Sequence, residues 1–149
     1  MIGLLQRVRR ASVEVEGETV GSIGQGLLVL VGIERGDAEA QADRLLERLL
    51  GYRAFEDAQR RMNLCLRDIE GGLLIVPQFT LAADTAKGMR ASFTTAAEPA
   101  RARLLFAYLL DRARATWPRT QSGRFGADMQ VSLINDGPVT FILRVEPPH

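Results

Sequence analysis

The chain has 149 residues, 46% of them apolar and 25% charged, the size and mix of one globular domain (1–149) with a core of its own. Its 19 basic residues nearly cancel 18 acidic ones, so any nucleic-acid contact must come from a local patch such as Arg7, Arg9 and Arg10, or the Arg101–Arg124 region. One cysteine, Cys65, excludes an internal disulfide and a thiolate zinc set, and one histidine, His149, in a PPH tail expected to be loose from about residue 146, disfavours triads and most zinc sites.

Alternation through VRRASVEVEGETVGSIG predicts two half-buried strands joined by a tight turn at EGE. GLLVLVGI, from Gly26 to Ile33, is a continuous apolar run between glycines, as in a strand buried on both faces. Helical spacing of Ala42, Leu45, Leu46, Leu49 and Leu50 follows, with Asp37 placed to cap the helix and Gly51 to stop it. A polar loop containing EDAQRRMNL leads to a second buried strand, Leu73 to Val76, which meets Pro77. The stretch from Ala82 to Glu98 lacks periodicity and reads as a long ordered loop. Pro99 suits the first turn of a second helix with the stripe Ala100, Leu104, Leu105, Tyr108, Leu109 and Ala113, ending near Trp117. MQVSLI and TFILRV then read as strands flanking NDGPVT, where Pro138 predicts a rigid bend. The class is mixed α/β: two strands, two strand–helix units, then two or three strands, with layered sheets and helices.

Three segments hold candidate chemistry. PQFTL puts the Gln78 amide and the Thr80 hydroxyl at the end of a buried strand, where α/β folds bind ligands, although both side chains also suit backbone capping. GMRASF and SGRFGADM each combine Arg, Phe and Gly, suited either to stacking a base and holding a phosphate or to a surface loop anchored by one aromatic. The glycine-rich GSIGQG enters a strand rather than a helix, which favours turn chemistry over phosphate binding. No window approaches the roughly 18 apolar residues of a membrane span, and no leader pattern precedes the first strand, so the chain reads as soluble and cytoplasmic.

Taken together and in register, MIGLLQRVRRASVEVEG, QFTLAADT, TQSGRFGADMQVSL and NDGPVTF resemble the D-aminoacyl-tRNA deacylase family from Met1 to about Val145. The resemblance implies hydrolysis of D-aminoacyl-tRNA and of mischarged glycyl-tRNA, with Gln78, Phe79 and Thr80 lining the pocket for the aminoacylated 3′ end. It implies that Gly137-Pro138 is cis, although residue type alone favours trans, and that this pair reaches into the active site of the other subunit of a homodimer. There its backbone would reject an L side chain. Arg7 would brace that pair; Phe125, Met129 and Asn135 would surround the substrate. Assistance would come from the 2′-hydroxyl of the terminal adenosine, with main-chain N–H groups near Phe79 and Thr80 facing a developing oxyanion, and without metal or cofactor. The sequence departs from the family pattern at Pro77, where many members carry serine, and at Ala91, where proline is common. The alternative from another class is a protein that binds the tRNA acceptor end without turning it over.

Overall fold

The computed structural model describes residues 1–147; Pro148 and His149, and with them the reading of a loose PPH end, lie outside the described residues. The organising element is β1 (Ile2–Val15). Along one edge its first half pairs antiparallel with β3 (Gly26–Gly32), from Ile2 opposite Gly32 to Val8 opposite Gly26, and its second half with β2 (Glu18–Ile23). Along the other edge runs β8 (Gln130–Arg144), also antiparallel. Outward from β3 the sheet continues with the parallel strands β6 (Gly72–Pro77) and β7 (Thr120–Ser122).

Both faces of this sheet are covered. Leu5, Leu27, Val29, Leu73 and Ile75 point into a core shared with the helices α1 (Glu39–Gly51) and α3 (Pro99–Thr116). Their strand neighbours Leu28, Leu74 and Val76 face the opposite way, into a second cluster with Val8, Val13 and Ile23. Burial on two sides is why β3 and β6 carry unbroken apolar runs.

The mixed α/β class holds, and four local readings change. Ala38, not Asp37, is the N-cap of α1, with its N–H donating to the Gln41 side chain at 2.8 Å. Asp37 is instead buried, accepting the Met1 ammonium at 2.9 Å and the Glu34 N–H at 2.7 Å. Burial pushes its carboxyl above the usual carboxylate range, against the pull of those two donors. In α3 the face that meets the core is Ala102, Leu105, Phe106, Leu109 and Ala113, leaving Ala100 and Leu104 outside. The expected polar loop contains a short ladder of β4 (Phe55–Glu56) with β5 (Met62–Leu64) and one helical turn, α2 (Leu66–Ile69).

The fourth change concerns NDGPVT. MQVSLI and TFILRV are not separated by a reversal: both lie on β1 in the same direction, as parts of β8. Thr140 pairs with Gln6 and Asn135 with Val8, so Asp136, Gly137, Pro138 and Val139 loop out opposite Arg7. Such an insertion aims backbone out of the ladder without turning the chain.

Candidate active site

The site begins where β6 stops. The Gln78 N–H donates to the Val31 carbonyl at 2.8 Å, which leaves the nitrogen of Pro77 facing the β7 side. There β7 has already ended, Ser122 lying opposite Ile75, so the donor that Pro77 lacks has no strand to serve. The chain then closes into a 3₁₀ turn, Phe79–Ala82, packed on the end of β3. At Gly32 a Cβ would stand 2.8 Å from the Leu81 Cβ, so only glycine admits this approach. As the first residues of the turn, Phe79 and Thr80 have N–H groups with no carbonyl acceptor within it and none elsewhere in the described backbone.

Beside this turn lies a cavity of about 610 Å³. Val76 to Phe79 form its floor, Phe125 to Ala127 and Met129 one wall, and the segment Ala96 to Pro99 with Ala102 the other, while Val131 of β8 stands at its margin. Phe79 is 64% exposed and stacks against Phe93, with ring centroids 5.3 Å apart. Thr80 is not part of the wall; its hydroxyl accepts the Gln78 side-chain N–H at 2.6 Å. Among the described residues the cavity is lined by two charged side chains, Arg35 and Glu98, which pair with each other at 3.7 Å. The arrangement offers apolar and aromatic surface, unpaired main-chain donors and an amide–hydroxyl pair.

The other expected site residues gather at the outlooped segment of β8, and within one chain they do not line the cavity. The Gly137–Pro138 bond is cis, and both residues are exposed. Gly137 has φ +137°, and a Cβ there would lie 2.7 Å from Val139 Cγ2 and 3.1 Å from Arg7 Nη2. Arg7, buried, donates from Nε to the Asp136 carbonyl at 2.9 Å and from Nη1 to the Ala54 carbonyl at 3.0 Å. Asn135 spans the base of the loop: Oδ1 accepts the Val139 N–H at 2.9 Å and Nδ2 donates to Thr140 Oγ1 at 2.8 Å. Thus Gln78, Phe79, Phe125 and Met129 meet at the cavity, whereas Arg7, Asn135, Gly137 and Pro138 form a separate cluster. Sequence reasoning missed the Arg35–Glu98 pair, and the contact of Arg103 with Phe125, because neither carries a local pattern.

Comparison with known proteins follows the same lines. The family model described as D-Tyr-tRNA(Tyr) deacylase matches residues 4–144. A D-aminoacyl-tRNA deacylase of Thioalkalivibrio sulfidiphilus is 65% identical over 149 residues, covering all of both chains, and one of Pseudomonas putida KT2440 is 63% identical over 145 residues, covering 97% of this chain and 100% of that one. A solved structure of a c-Myc DNA Unwinding Element Binding Protein superposes with a TM-score of 0.93 at 36% identity, over 98% of this chain and 99% of that one. A "probable eukaryotic D-amino acid tRNA deacylase", at 17% identity, shares the fold, with a TM-score of 0.84 over 95% of this chain and 97% of that one. The family match and the named relatives define the class of the molecule as a hydrolase, one that removes acyl groups. Within that class, the chain belongs to the D-Tyr-tRNA(Tyr) deacylase family.

Proposed function

We propose that the protein hydrolyses the ester between a D-amino acid, or glycine, and the 3′ end of tRNA, and spares the L-aminoacyl ester. The observation that carries this reading is the pair of N–H groups of Phe79 and Thr80, without a carbonyl acceptor among the described residues, in the turn whose Phe79 lines the cavity. Aimed at the ester carbonyl, they stabilise the oxyanion as water adds to the carbonyl carbon. The carbon–oxygen bond to the ribose then breaks, and the leaving oxygen takes a proton, leaving free tRNA and the amino acid. As the family resemblance implies, base assistance comes from the neighbouring 2′-hydroxyl of the substrate, and the protein contributes orientation. The scheme calls for neither metal nor cofactor. Gln78 holds Thr80, and Phe125 and Met129 bound the space for the terminal nucleoside.

Selectivity, in this reading, comes from a second copy of the chain. Among the described residues β8 pairs with no strand but β1, so it is an edge strand, and its first half exposes Val131, Leu133 and Ile134. Val131 also lines the cavity, so the apolar edge runs from the cavity margin toward the Gly137–Pro138 loop. A homodimer built on this edge buries it and carries each Pro138 into the partner's cavity, near the exposed Phe79. Backbone braced by Arg7 and Asn135 then forms a wall that an L side chain meets and a D side chain or hydrogen does not. Such an enzyme acts where tRNA is charged, in the cytoplasm. Multiple-turnover release of amino acid from D-tyrosyl-tRNA tests the reading; stoichiometric binding of tRNA without release would leave a tRNA-acceptor-end binding protein in its place.

A further inference from the structure

The function proposed above leaves unexplained a cation fixed beside the cavity. Arg103, on the exposed side of α3, lays its guanidinium over the Phe125 ring, 4.8 Å from the centroid. The same ring leans on Phe106 of the core, centroids 6.1 Å apart, so Phe125 is pinned between core and cation. The loop is shaped to this contact: at Gly126 a Cβ would stand 3.2 Å from Arg103 Nη2. Phe125 and Gly126 both line the cavity, so the guanidinium lies immediately outside its wall.

Its charge is free as well. Arg35 pairs with Glu98 and Arg112 with Asp43, and Arg101 donates to the Asp37 carbonyl, whereas among the described residues Arg103 has no carboxylate partner within salt-bridge distance. Arg124, adjacent in sequence to Phe125, likewise makes no ion pair among the described residues. Stacking on an aromatic face leaves the in-plane N–H donors of a guanidinium open, the geometry that binds a phosphate oxygen. The polynucleotide strand of a nucleoside in the cavity must cross its rim, and the guanidinium held against Phe125 offers that polyanion an uncompensated cation beside one wall.

We propose that Arg103 is a binding residue for the RNA backbone, holding a phosphate of the single-stranded 3′ end of the substrate just before its terminal nucleoside. The inference rests on the deacylase reading. Its competitor is a structural role in which the side chain merely covers Phe125.

The test compares wild type, Arg103→Met and Arg103→Lys on two substrates, D-tyrosyl-tRNA and D-tyrosyl-adenosine, the second carrying no phosphodiester. Thermal melts check that each variant is folded. For Arg103→Met the expected result is a KM for D-tyrosyl-tRNA raised roughly tenfold with kcat unchanged, and a log–log salt slope of affinity reduced by about 0.7, the share of one single-strand phosphate. Arg103→Lys, which keeps the charge, recovers part of the loss. D-tyrosyl-adenosine, measured as substrate or as competitive inhibitor, is indifferent to all three. Equal weakening toward both compounds, or no change in KM and salt slope, would overturn the proposal. If wild type releases no amino acid from D-tyrosyl-tRNA, the deacylase reading is what fails; the salt slope for a short RNA ending in CCA still reads the contact of Arg103.

Discussion

Arg7 and Asp136, far apart in the chain, are joined by a 2.9 Å hydrogen bond from the buried guanidinium to the backbone carbonyl that opens the Gly137–Pro138 loop. The other end of the fork is fixed on Ala54, after α1, so the loop is referenced to the core rather than to solvent. Arg7→Ala therefore strands two carbonyls and loosens the loop, at a cost of about 1–3 kcal/mol. Urea unfolding reads the stability. A fall in the ratio of D-tyrosyl- to L-tyrosyl-tRNA hydrolysis, larger than the fall in D-ester turnover, reads the loop.

Thr80 separates main-chain from side-chain chemistry. Thr80→Ala keeps the N–H and removes a hydroxyl that only accepts from Gln78, so kcat is expected to stay within about tenfold of wild type. Thr80→Pro removes the N–H at the second position of the turn, where that donor serves no carbonyl among the described residues. Loss of one oxyanion donor predicts a fall of roughly 10²–10³ in kcat. Single-turnover hydrolysis of D-tyrosyl-tRNA measures both.

The apolar edge of β8 predicts a dimer. Leu133→Asp puts a charge on a residue that is 36% exposed in the single chain, so the protomer keeps its fold while a partner is repelled. Light scattering is expected to give a dimer for wild type and a monomer for the variant, with D-tyrosyl-tRNA hydrolysis lost in step. A variant that is monomeric and fully active contradicts the cross-subunit site.

Tyr108 gives a pH signature away from the site. Its hydroxyl donates to both oxygens of Asp43, at 2.9 and 3.1 Å, tying α3 to α1. That hydrogen bond foremost, then burial and the Asp43 charge, raise its pKa above the usual value of 10.0. The raised pKa belongs to the folded state, so its stabilising contribution is complete below pH 10 and disappears as pH climbs through the raised value. Tm measured from pH 8 upward should fall more steeply for wild type than for Tyr108→Phe in that alkaline window.

Much of this molecule is legible in its sequence where one signal dominates. The buried face of α1 follows directly from leucines at helical spacing, and GLLVLVG and GLLIVP declare strands covered on two sides. In α3, alanine and leucine occur on several sides, as at Ala100, Leu104 and Ala107, so periodicity alone does not select the face that packs. NDGPVT divides what is one strand into two, because glycine and proline mark a loop between strands and an outlooped segment within one alike; only the common partner β1 distinguishes them. Asp37 looks like a cap because its neighbour through space, the Met1 ammonium, is invisible from position 37. Near the cavity, the strand-end signal points to the segment whose Gln78 lines it, whereas the stacking of Arg103 on Phe125 depends on how α3 and the loop before β8 meet.

The most direct measurement of the account is the initial rate of hydrolysis of D-tyrosyl-tRNA and L-tyrosyl-tRNA by the purified protein. Rapid release of D-tyrosine with the L ester intact is the predicted result. Equal attack on both esters would contradict the backbone wall, and absence of turnover on either would contradict the hydrolytic site itself.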